Sequence, residues 1–142
     1  MIGAPEYLAP LFVQVALTVV LLLWAGVRRV NAVVDGTVRS RDVSLRQQNW
    51  PGDIMQITNA YQSQLELPIL FYIVVILSLF TARSSTTLLV LAWAFVATRI
   101  FHAIIHVTTN HMGRRFYAFF AGSMILLTMW ILFALDLFIG PY

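Results

Sequence analysis

Two sets of polar side chains repeat at helical spacing inside stretches otherwise suited to lipid, and they define the chemistry this chain could perform. Asn59, Gln62, Ser63 and Glu66 stand at i, i+3, i+4 and i+7, one face of an α-helix, and the stripe ends on a carboxylate where an apolar run begins. Arg99, His102 and His106 stand at i, i+3 and i+7 within the apolar stretch from Ala92 to Val107. By the expected topology both stripes lie towards the same side of the bundle, so they could meet. A lone charge at the bilayer centre costs roughly 2.5–3.5 kcal/mol on insertion scales, so Glu66 and Arg99 are expected to pair with each other or with polar neighbours inside the protein.

Each group also has a plainer use. Glu66 and Arg99 could form an interhelical ion pair that sets helix register. His102 and His106 could hydrogen-bond between helices or to headgroups. Their HxxxH spacing also suits a metal, but with only Glu66 or His111 as further ligands no metal is expected. Arg114 and Arg115 after Gly113, like Arg28 and Arg29, either anchor helix ends at the membrane surface or receive a carboxylate or phosphate, which guanidinium grips bidentately. The chain has no cysteine, which excludes disulfides, a thiolate nucleophile of its own and Cys-ligated metal.

The elements that must carry these residues are membrane helices. Of 142 residues 60% are hydrophobic and 11% charged, and the mean hydropathy is +0.82, more apolar surface than so small a soluble domain could bury. A span takes about 20 apolar residues, so four spans use nearly the whole chain and leave no room for a separate soluble domain. The expected helices are 8–28, 52–81, 87–108 and 115–138, an all-α, up-down-up-down bundle with short links. The first apolar run is long enough to span and lacks a signal-like n-region, so it reads as retained. Helix one is expected to stop near Arg28-Arg29, and Pro68 is expected to kink helix two without breaking it. Asp136 reads as interfacial, and Trp24, Trp93, Trp130 and Tyr142 as belt or packing residues.

All nine basic residues other than histidine are arginines. Arg28, Arg29, Arg39, Arg41, Arg46, Arg114 and Arg115 fall on one side of the expected bundle and Arg83 on the other. By the positive-inside rule both termini are expected to face away from the cytoplasm in the cell (inner) membrane. Membrane lipid is the expected partner, and nucleic acid is not.

At this point a resemblance to a family becomes specific. The segments Arg29-Val30-Asn31-Ala32, Trp50-Pro51, NAYQSQLELPILFY from Asn59 to Tyr72, RIFHAIIH from Arg99 to His106, and Gly113-Arg114-Arg115-Phe116 resemble the MAPEG superfamily, membrane-associated proteins in eicosanoid and glutathione metabolism, in particular its bacterial branch. That resemblance implies a four-helix protomer in a homotrimer, with glutathione between protomers and a lipophilic electrophile arriving from the bilayer. It implies that Glu66 holds the glutathione amine, that Arg114 or Arg115 stabilises the sulfur as thiolate, and that Arg28 or Arg29 reaches in from the adjacent protomer. Cationic guanidinium lowers a thiol's pKa, and the thiolate is the nucleophile. The family's Arg-x-x-x-Asn-x-x-Glu stripe reads here as Asn59, Ser63 and Glu66, so one glutathione-binding arginine is missing and an asparagine is shortened to serine. The helix-three tyrosines of the eicosanoid enzymes correspond to His102 and His106.

Two functions follow as expectations. One is a transferase or peroxidase using glutathione or another anionic thiol, with Arg114 or Arg115 at the sulfur and Glu66, Gln62 and Arg99 as binding groups. The other is a non-catalytic bundle, lipid-binding or an accessory subunit of a larger membrane complex, in which the stripes are structural.

Overall fold

A computed structural model describes residues 3–43 and 50–140; Arg46 and Tyr142 lie outside them. Among these residues six helices follow in order: α1 (Ala4–Val34), α2 (Ser40–Val43), α3 (Gly52–Ser63), α4 (Leu67–Phe80), α5 (Thr86–Val107) and α6 (Met112–Phe138). No strand occurs among the described residues. Four stretches are long and apolar enough to cross a membrane: α1, α3 with α4, α5 and α6. Large apolar side chains such as Phe12, Leu23, Phe101 and Phe138 remain exposed, the normal condition of a protein whose outer solvent is lipid.

Helix α1 departs from expectation at both ends. It begins at Ala4, where Pro5 suits the first turn, and runs six residues past Arg28 to Val34. At 1.5 Å per residue its 31 residues exceed the roughly 30 Å of hydrocarbon, so its arginine-bearing turns project from the membrane. They remain helical because they have partners. Arg28 pairs with Asp53 at the start of α3, and the Arg29 guanidinium lies 5.2 Å from the centre of the Trp50 ring. Gly36 then turns the chain with φ of 72°, a conformation glycine adopts at little cost.

The second span is broken at Gln64, Leu65 and Glu66, where a kink alone was expected. Pro68 supplies no N–H, and its ring crowds the carbonyl four residues back, which is that of Gln64. The chain tightens in response: the Gln64 and Leu65 amides donate to the Tyr61 and Gln62 carbonyls at 2.9 Å each. This break frees backbone and side chains at membrane depth, a departure from helix that is tolerated only where protein surrounds it.

Helix α6 starts at Met112, earlier than expected, so that Arg114 and Arg115 are helical. The link before it is short because Asn110 adopts φ of 48° and donates its N–H to the Ile105 carbonyl at 2.8 Å, a left-handed stop that asparagine tolerates. Helices α5 and α6 pack most extensively, and α1 packs on α3, α4 and α5. Gly122 permits the α5–α6 approach, since a Cβ there would lie 2.9 Å from Thr98 Oγ1.

The main core joins α1, α4, α5 and α6 through Tyr7, Phe71, Val75, Phe95, Met129 and Phe133. Phe71 and Phe95 stack with ring centroids 4.6 Å apart. Towards the arginine-rich end the core thins to Leu21, Ala60 and Ala103. The polar groups occupy that end.

Candidate functional site

Arg99 is the anchor of the polar half. Although an arginine, it is 0% exposed, and it reaches from α5 to the end of α3, where Nη2 donates to Ser63 Oγ at 2.8 Å and to the Ser63 carbonyl at 3.3 Å. That carbonyl is available because the helix stops there. A second contact runs from Nη2 to His102 Nδ1 at 3.4 Å, and the Phe119 ring of α6 lies 6.0 Å away. Nε and Nη1 have no partner among the described residues. Arg99 therefore pairs with polar neighbours and makes no direct ion pair with Glu66.

Above Arg99 lies a cavity of about 420 Å³ lined by Asn59, Gln62, Ser63, Glu66, His102, His106, Met112, Arg115, Phe116 and Phe119. Its size falls within the roughly 300–1,000 Å³ of small-molecule sites. All four residues of the helix-two stripe reach it, as do both histidines of the helix-three stripe, so the two faces meet across one space. The helix-two wall is open: Asn59, Gln62 and Glu66 are exposed, whereas His102 and His106 are buried. The two imidazoles sit edge to face with centroids 5.7 Å apart, and His106 Nδ1 has no partner among the described residues. Among the described residues no group of three or more His, Cys, Asp or Glu is arranged to hold a metal ion.

The two adjacent arginines separate cleanly. Arg115 lines the cavity and is steered by Asn110, whose Oδ1 accepts from Nη1 at 2.7 Å. Arg114, one residue and about 100° of helix away, lines a different groove on the outer face of α5 and α6. Nor do Arg28 and Arg29 reach the cavity, since Arg28 sits on Asp53 and Arg29 on Trp50. Asp136, at the far end of α6, faces Arg83 at 3.6 Å.

Several site residues escaped the sequence reading. Met112, Phe116 and Phe119 form the apolar wall, and their i, i+4 and i+7 spacing behind Gly113 was a usable signal. Asn110 falls in the short link expected between 87–108 and 115–138. Gln14 and Gln64, at 0% and 1% exposure, tie α1 to the helix break through Gln14 Nε2 donating to Gln64 Oε1 at 3.0 Å. Buried glutamine in an apolar run, as at position 14, signals an interhelical partner.

Four apolar spans around a polar cavity at their arginine-rich end define a multi-pass membrane protein with an interior site. The chain belongs to the MAPEG family, whose model matches residues 7–135, nearly its whole length. No curated protein and no solved structure matches the chain.

Proposed function

We propose that this protein is a membrane-embedded transferase or peroxidase that uses glutathione or a similar anionic thiol against lipophilic electrophiles. The observation that carries the reading is the joining of Glu66, Arg115 and the histidine pair on one cavity whose remaining wall is Met112, Phe116 and Phe119. A thiol peptide presents an ammonium, carboxylates and a sulfur. Glu66 suits the ammonium, the Gln62 and Asn59 amides suit peptide groups, and Arg115 suits the sulfur as it becomes thiolate.

The chemistry is nucleophilic displacement. The thiol proton passes to water or to His106 Nδ1, the thiolate attacks the electrophilic carbon to form a C–S bond, and the leaving group departs with its electron pair. Arg115 stabilises the charge on sulfur before attack. The exposed Phe116 and Met112 open the site to a substrate dissolved in the bilayer.

Asn59, Gln62 and Glu66 are exposed on a single protomer, and lipid offers them nothing to bond. A second copy covering this wall accounts for them, and we assign the protein to a homotrimer in the cell membrane. The cluster of arginines at the cavity end supports a cytoplasmic placement of that end and outward-facing termini.

The test is conjugation of glutathione to 1-chloro-2,4-dinitrobenzene by purified protein, followed as release of chloride and formation of the thioether. Wild type is expected to exceed the uncatalysed rate, Arg115→Ala to lose at least about tenfold, in keeping with the worth of one group that stabilises developing charge, and Arg114→Ala to keep most of the activity. No wild-type rate above background, with no glutathione bound to the folded protein, would leave the non-catalytic lipid-binding or accessory-subunit reading in its place.

A further inference from the structure

The groove occupied by Arg114 is unlike the cavity and is independent of the reading above. It encloses about 560 Å³ between α5 and α6 and is lined by Ala97, Thr98, Phe101 and Ile105 on one side and Arg114, Tyr117, Ala118 and Ala121 on the other. Each set falls on one face of its helix, with Arg114, Tyr117, Ala118 and Ala121 at i, i+3, i+4 and i+7. The alanines leave the trough, because Gly122 draws the helices together while the neighbouring small side chains fill little of the space between them. Its only interior hydroxyl, that of Thr98, already donates to the Phe95 carbonyl at 2.6 Å. The floor therefore asks for an apolar chain and has no use for a polar ligand.

The mouth is of opposite character. Arg114 is exposed, and its guanidinium makes no hydrogen bond or ion pair among the described residues. Tyr117, 73% exposed, stands one turn along α6 from Arg114 and is a residue type suited to the headgroup level. No carboxylate occurs in the sequence between Glu66 and Asp136, so neither helix of the groove supplies a counter-charge near its arginine-rich end. An apolar trough about 10 Å long, from Arg114 to Ala121 at 1.5 Å per residue, capped by an unneutralised cation, is complementary to an acyl chain beneath an anionic headgroup.

We propose that this groove is a binding site for an anionic phospholipid, with one acyl chain lying along Ala97, Phe101, Ala118 and Ala121 and the headgroup phosphate on Arg114. The lipid would brace the most extensively packed helix pair from outside, on the face opposite the cavity.

Two measurements test it on the full-length protein. In native mass spectrometry from mixed micelles, wild type is expected to retain phosphatidylglycerol over phosphatidylcholine by about fivefold, the contribution of one arginine near an anionic surface. Arg114→Gln should bring that preference close to one, and Ala121→Phe, which fills the trough from its exposed side, should reduce retention of either lipid. Equal retention by wild type, or a preference untouched by Arg114→Gln, overturns the proposal. In membranes, a benzophenone amino acid in place of Phe101 should yield an adduct heavier by one phospholipid. An adduct with a second copy of the chain makes the groove a protein interface and overturns it as well.

Discussion

The half of the bundle around α4 and the half around α3 are held together in different ways. Near α4, shape does most of the holding: Phe71, Val74, Val75, Phe95 and Met129 are all 1% exposed or less, and the polar links to α1 are hydroxyl contacts, Tyr7 with Ser78 Oγ at 2.9 Å and Tyr72 with Thr18. Near α3 the apolar core is thin, and Arg99, Ser63, Gln14 and Gln64 join the helices by hydrogen bonds. In a bilayer, lipid is as apolar as leucine, so packing and polar contacts both have to hold helices together without a hydrophobic drive between them. The cavity lies at the end where apolar packing is thin. Tight packing at one end lets the other end keep unpartnered donors and an open wall.

Three substitutions separate those halves. The largest effect on stability is expected from Phe71→Ala, which empties a site stacked on Phe95. About 2 kcal/mol or more should be lost, the packing share of the roughly 3–5 kcal/mol that such truncation costs in soluble cores, read by unfolding in mixed detergent. On the proposed thiol-peptide reading, glutathione affinity of the molecules that remain folded should be unchanged; a parallel loss of affinity would mean that the halves are not separate.

Arg99→Met should do the reverse. It removes a buried cation, restores apolar character at membrane depth, and leaves Ser63 and His102 without their donor. Stability should change by less than about 1 kcal/mol, in line with single interhelical hydrogen bonds in membranes, while glutathione affinity measured by calorimetry falls about tenfold, worth 1.4 kcal/mol. Unchanged affinity would reduce Arg99 to a register pin between α3 and α5.

The smallest effect belongs to Gln14→Leu. Gln14 Oε1 and Gln64 Nε2 lack partners as it stands, so removing the one amide contact should cost about 0.6 kcal/mol. A loss several times larger, by the same unfolding measurement, would show that the pair secures the helix break itself.

Much of the site was legible in the residues because helical phase and hydropathy are local properties. The four spans, and the stripes at Asn59–Glu66 and Arg99–His106, follow from spacing alone. Spacing could not say that Pro68 stops the helix outright, because whether a proline kinks or breaks a span depends on what receives the freed groups. Here Gln14 receives the Gln64 side chain and Arg99 the Ser63 carbonyl, and both come from other helices. The choice between Arg114 and Arg115 was equally out of reach. It is made by the left-handed stop at Asn110, which sets the phase at which α6 begins, so that Arg115 turns into the cavity and Arg114 turns out to the lipid. Composition and period determined that this chain is a four-span membrane bundle with two polar faces, whereas only the packing of its helices decided which side chains those faces present to a common space.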